Sequence, residues 1–195
     1  MLGRRMSKNK PFPKDHPLHH ASKEIIAAID FYERMLKHHL GDFTIFESDW
    51  REFLQKLERV WNKTQAAVNG LPGWPKLEAE INKLRSADPL LSYLRHARNA
   101  DEHSIQQVTS DWNANLRATP VDTTSVRLDW EPWDRPLLPV KNRGVDYQPP
   151  REHLGIDFSE KLKRGTAEPI VVADMALHFY KNLLDRVINE VILKS

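Results

Sequence analysis

The chain has 195 residues, with 29 basic against 27 acidic side chains, a net charge of +2 and no cysteine. That length can bury a core without a disulfide or metal staple, which fits one domain or one domain with an insertion. The missing cysteines exclude disulfide frameworks, thiolate zinc sites and cysteine nucleophiles, and the near balance of charge gives no bulk attraction to nucleic acid.

The first residues, MLGRRMSKNKPFPKDHP, are basic but have no apolar stretch behind them, so no secretory signal is expected and residues 1–20 read as a flexible basic arm. Residues 21–195 then form a single domain. Ser22 is placed to cap a first helix, KEIIAAIDFYERMLKHHL, with Ile25, Ile29, Tyr32 and Leu36 at helical spacing and Gly41 ending it. A second helix is predicted from near Ser48 to about Gly70, with Trp50, Phe53, Leu54, Leu57, Val60, Trp61 and Val68 facing inward. LPGWP makes a turn and KLEAEINKLRSA a short third helix. Asp88 before Pro89 starts a fourth, because a proline in the first turn lacks only an N–H that would have no partner there.

Residues 109–168 read differently. They hold six of the thirteen prolines and the alternating stretch VRLDWEP, so they are expected as an insertion with short strands. Its tryptophans, Trp112, Trp130 and Trp133, either stack on bases or supply core, and Lys141-Asn142-Arg143 and Lys161 to Arg164 are either phosphate contacts or solvated loops. A last helix, Pro169 to Leu193, carries Val172, Met175, Ala176, Phe179, Leu183, Val187 and Val191 at core spacing. The fold class is therefore mainly α: a four- to five-helix bundle with an irregular or short-strand insertion before the last helix. No apolar run approaches the roughly 18–20 residues that cross a bilayer, and a cytoplasmic protein is expected.

The fourth helix contains RHARNADEH, residues 95–103. On a helical wheel Leu90, Leu91, Leu94, Ala97 and Ile105 share one side, and Arg98 and Asp101 fall inside that stripe. His96, Asn99 and His103 point the other way. One reading is local: Arg98 pairs with Asp101 or Glu102 three or four residues on, and the histidines lie on the surface. The histidines of HPLHH (16–20) and His38-His39 have no acidic cluster beside them to complete a ligand set, so no metal site and no cofactor is expected.

The other reading comes from a likeness. Arg98-Asn99-Ala100-Asp101-Glu102-His103 resembles the signature of HEPN domains, an arginine, a polar residue and a histidine a few residues on, carried on a helical bundle. Arg34 to His39 has the same outer spacing but lacks the polar residue after the arginine and lies on the first helix. The likeness implies a metal-independent RNA endonuclease that works as a homodimer, in a toxin–antitoxin or phage-defence setting, with an antitoxin or regulatory protein as a further partner. The alternative within the same likeness is a non-catalytic module that binds RNA, a nucleotide or a protein.

It implies catalytic roles for Arg98, Asn99 and His103, with Arg95, His96 and Glu102 as substrate contacts. Histidine titrates near neutral pH and can move the proton of the 2′-OH or of the leaving oxygen, while an arginine fork suits phosphate. Arg98 and His103 are five residues apart, about 140° around a regular helix, so one copy does not point both at one phosphate. Ile105 stands where part of that family has a tyrosine modified by a partner enzyme, which argues against regulation by that route.

Overall fold

A computed structural model describes residues 10–38, 42–104, 117–120, 126–129, 137, 140–142, 145–147, 150, 152–153, 156–157 and 169–195; at 43, 100–104, 117–120, 126–129, 142, 152–153 and 156–157 the backbone alone is described. Five helices account for most of it: α1 (His19–His38), α2 (Phe43–Val68), α3 (Trp74–Ala87), α4 (Pro89–Ser104) and α5 (Pro169–Glu190), the last followed by a 3-10 turn at Ile192–Lys194. Between α4 and α5 lie three antiparallel pairs: β1 (Arg117–Pro120) with β2 (Val126–Asp129), β3 (Val140–Asn142) with β4 (Val145–Tyr147), and β5 (Glu152–His153) with β6 (Ile156–Asp157). The expected bundle with a strand-bearing segment before the last helix is what the chain forms. No helix among the described residues is long and apolar enough to cross a membrane.

Side-chain pairs fix how the helices run. Arg34 meets Asp49 at 2.7 Å and Glu24 meets Lys56 at 3.9 Å, so α1 and α2 form an antiparallel hairpin. Gln65 donates to Glu78 and Arg85 to Glu58, which sets α3 antiparallel to α2. Arg186 bonds both carboxylate oxygens of Glu80, at 2.7 and 2.9 Å, tying α5 to α3. The core between them is apolar and large: Trp50, Phe53, Trp74, Ile81, Leu90, Val172, Leu183 and Val187 are all buried. Every inward residue expected for α2 is buried, and α5 buries its expected stripe apart from Met175, which is partly covered.

Three boundaries differ from expectation, each for a local reason. Residues 10–20 belong to the fold. Phe12 and Leu18 are buried, Phe12 stacks on His16, and α1 begins at His19. Ser22 is an interior, buried position whose Oγ accepts from the Phe12 amide (2.9 Å) and donates to the His19 carbonyl (2.7 Å). It therefore pins the lead-in segment to the helix. Prolines at 11, 13 and 17 hide these apolar residues from any periodicity test. Along α1 it is Met35 that is buried, while Leu36 is exposed. The second helix starts five residues earlier than expected, because Asp42 caps it by accepting from the amides of Thr44 and Ile45. Gly41 lies outside the described residues.

Candidate functional site

The site is organised by α4. Asp88 is buried, its Oδ1 accepts from the Leu91 amide at 3.0 Å and Pro89 follows, so the start of α4 is fixed as expected. Leu90, Leu91, Leu94 and Ala97 face the bundle and are buried. Tyr93 and His96 are buried as well, on a second side of the helix. The β3–β4 hairpin lies there: Leu137 and Val140 are buried, and the rings of His96 and Tyr147 stack with centroids 3.4 Å apart and planes 16° apart. The outward placement expected for His96 is thus corrected, because a hairpin from the insertion covers that flank. A ring 8% exposed offers little surface to a substrate. Its imidazole pKa is lowered from 6.5, first by burial and then by the neighbouring Arg95 charge.

Among the described side chains of α4, Pro89 is exposed at its start, Ser92 is half-buried, and Arg95, Arg98 and Asn99 form a half-buried strip farther along. Arg98 Nη1 donates to Asn99 Oδ1 at 2.8 Å, and Arg95 Nη2 lies 3.4 Å from His96 Nε2. The side chains of Asp101, Glu102 and His103 lie outside those described, so the expected pairing of Arg98 with the two acids, and the position of the His103 imidazole on the last turn of α4, do too. Ile105, Trp112, Trp130, Trp133, Arg143 and Lys161 to Arg164 also lie outside the described residues, whereas Lys141 is exposed on β3.

Arg95 and Arg98 border a part-enclosed cleft of about 230 Å³, its open mouth included. Its other polar walls come from three different helices: Glu58 of α2, Arg85 of α3 and Tyr180 of α5. Arg85 is nearly buried, donates to Glu58 at 2.5 Å, and holds its guanidinium 4.7 Å from the centre of the Trp61 ring. Burial pushes the Tyr180 hydroxyl up to about 12, against the lowering effect of Arg85, so it stays protonated at neutral pH. Sequence reading missed these three residues. A signal for one was present: Trp74, Leu77, Ile81 and Arg85 continue a single buried stripe along α3, so Arg85 is an arginine in an apolar position, the same anomaly that marked Arg98.

Among the described residues no group of three or more His, Asp or Glu side chains is gathered as a metal site would need. No protein-family model, curated protein or solved structure matches this chain.

Proposed function

We propose that the chain is a HEPN-like, metal-independent RNA endonuclease that acts as a homodimer, with Arg98 gripping the phosphate, Asn99 holding Arg98, and His103 moving the proton. The observation that supports this most is the Arg98–Asn99 bond at the mouth of an arginine-lined cleft, on the same helix as His103 and five residues before it. A side-chain amide accepting from one guanidinium nitrogen helps to hold the fork in one orientation beside the cleft, and an arginine fork suits a phosphoryl group.

The chemistry asks for little more. RNA brings its own nucleophile: as the 2′-oxygen attacks phosphorus its proton passes to a base, the P–O5′ bond breaks, and the 5′-oxygen takes a proton from an acid. The products are a 2′,3′-cyclic phosphate and a 5′-hydroxyl end. Charge building on the non-bridging oxygens is met by a fixed cation. Five residues of helix separate Arg98 from His103 by about 7.5 Å along the axis as well as about 140° around it. A two-fold pair of α4 helices supplies both groups to one phosphate, each copy completing what the other lacks. A toxin or phage-defence setting, with an antitoxin or other regulator, fits an RNA-cutting activity of this kind.

The experiment is cleavage of a mixed RNA pool in excess EDTA. Wild type should yield cyclic-phosphate ends, with the rate lowered about 10²–10⁴-fold by His103→Ala and about 10²–10³-fold by Arg98→Ala. A folded dimer that leaves RNA whole would rule the catalytic reading out. The second reading, a module that binds RNA without cutting it, is favoured by Arg95, which adds a charge to the cleft and no proton-transfer group. RNA retained on a filter without cleavage would select it.

A further inference from the structure

We infer that the outer face of the α1–α2 hairpin, toward its open end, holds the backbone of an RNA strand through Lys23, Arg59 and Lys63. The inference rests on the reading of the chain as a protein that acts on RNA, and it adds a second contact surface, apart from the α4 cleft.

Helical geometry assembles this face. The Glu24–Lys56 contact at 3.9 Å sets the level at which α1 and α2 lie side by side. Lys56, Arg59 and Lys63 follow one another at spacings of three and four, so they share the side of α2 that borders α1. Lys23 precedes Glu24 on α1 and lies close to the level of Arg59 in this antiparallel pair. Glu58, which meets Arg85 of α3, is two residues from Lys56 and so about 200° around the helix. The basic side is therefore across α2 from the cleft.

Charge marks the face out. Lys23, Arg59 and Lys63 are exposed, and among the described residues no carboxylate lies within ion-pair distance of any of them. Glu24 is met by Lys56 and Glu58 by Arg85. The next acids toward the closed end of the hairpin, Asp30 and Glu52, are about two turns from Lys23 and Arg59 respectively. The lead-in adds to the same end. Residues 1–14 hold Arg4, Arg5, Lys8, Lys10 and Lys14 and no acid, and the Phe12 amide is bonded to Ser22, the neighbour of Lys23. A chain of net charge +2 thus gathers its unmatched cations at one end of one hairpin.

The rest of the face decides the partner. Among the cations stand Ala27, Gln55, Asn62 and Ala66, all small or polar. The large apolar residues exposed among the described ones lie elsewhere: Leu36 and Ile45 at the closed end of the hairpin, Val145 on β4 and Leu193 at the end of the chain. A protein partner is gripped by apolar or aromatic anchors, and a membrane by apolar side chains sunk below the basic ones. A phosphate backbone needs neither. Exposed cations bind it by releasing its counterions, with no pocket required.

The test is fluorescence anisotropy of a labelled 2′-O-methyl single strand, which the proposed reaction cannot cut, titrated with the full chain over a range of salt. Wild type is compared with the triple variant Lys23→Gln, Arg59→Gln, Lys63→Gln. The control is Lys76→Gln, Lys83→Gln, Lys194→Gln, which removes as much charge from exposed positions elsewhere. The first triple variant should bind about tenfold weaker at low salt, with the slope of log K against log salt flatter by about 2, and the control should bind as wild type does. Melting temperatures should match wild type in both, since the side chains removed are exposed. RNA binding by the first variant equal to that of wild type would overturn the face while leaving the RNA reading intact, and so would equal weakening in both variants, which would mean that charge acts there without regard to place. A wild type that binds no RNA would remove the RNA reading and the inference together. Capture on phosphatidylserine vesicles that only the first variant loses would then assign the face to a membrane, against the inference.

Discussion

Arg98 donating to Asn99 and His96 lying flat on Tyr147 are neighbouring facts with different origins. The sequence marked Arg98 and Asn99 as a pair of interest but not their bond, since a helical wheel puts Asn99 on the side away from Arg98 and only the long arginine side chain reaches back to it. The ring stack was not legible either, because nothing in residues 90–105 records that a hairpin some forty positions later will cover that flank. A buried imidazole with a lowered pKa resists protonation when folded but accepts it when unfolded. Its contribution is thus intact above the ordinary value near 6.5 and is lost as pH falls below it. His96→Phe, which keeps the stack, should lose less melting temperature than wild type between pH 7.5 and 5.5. A variant that falls as far as wild type would place the acid sensitivity elsewhere, His16 being the next group shifted in the same direction by burial.

Asp49 poses a related question at the α1–α2 hairpin. It is 1% exposed, and burial raises its carboxyl pKa despite Arg34 at 2.7 Å and the nearby His38 charge. Arg34 is half in solvent. Removing the arginine leaves a buried carboxylate without its nearest cation, whereas removing the charge from Asp49 leaves an arginine that water can hydrate. Arg34→Ala should cost about 1–2 kcal/mol at neutral pH in urea unfolding, and adding Asp49→Asn should restore most of it. The loss should also shrink toward acid pH, since a raised carboxyl pKa makes the folded state the better proton binder and lets Asp49 go neutral. Equal losses in the single and double variants would contradict this assignment.

At the scale of elements, periodicity located all five helices and missed chiefly the starts of α1 and α2. The Asp88-Pro89 start of α4 was legible because capping chemistry is local, and the entry into α1 was not, because Phe12 and Leu18 are buried by distant packing. The junction of α3 and α5 is another contact that no local pattern announces. Gly73 precedes α3, and a Cβ there would sit 2.8 Å from the Glu190 carbonyl and 3.3 Å from the Val191 Cα. Its φ of −77° suits any residue, so the requirement is close approach and not backbone freedom. Gly73→Ala must push the end of α5 away from α3 and should destabilise the fold by about 1–3 kcal/mol, seen as a lower melting temperature with unchanged helix content. No change would mean that the two ends separate without cost.

At the scale of the whole molecule, the insertion and the bundle are joined through α4. One flank of that helix faces the core, another the β3–β4 hairpin, and the strip left over carries Arg95, Arg98 and Asn99 beside a cleft built from α2, α3 and α5. The sequence held the arginines, but not the convergence of Glu58, Arg85 and Tyr180 on them, since three helices distant along the chain must pack before the cleft exists. In the function proposed above, two copies of this strip together cut RNA. Mixing Arg98→Ala with His103→Ala protein tests it most directly, in EDTA and after subunit exchange. Each variant alone should be inactive. The mixture should regain about a quarter of the wild-type rate, because half the dimers are mixed and each mixed dimer keeps one intact arginine–histidine set, with ends that are 2′,3′-cyclic phosphates. A mixture as inactive as its components beside an active wild type would contradict the paired site, and a wild type that leaves RNA uncut would contradict the enzyme.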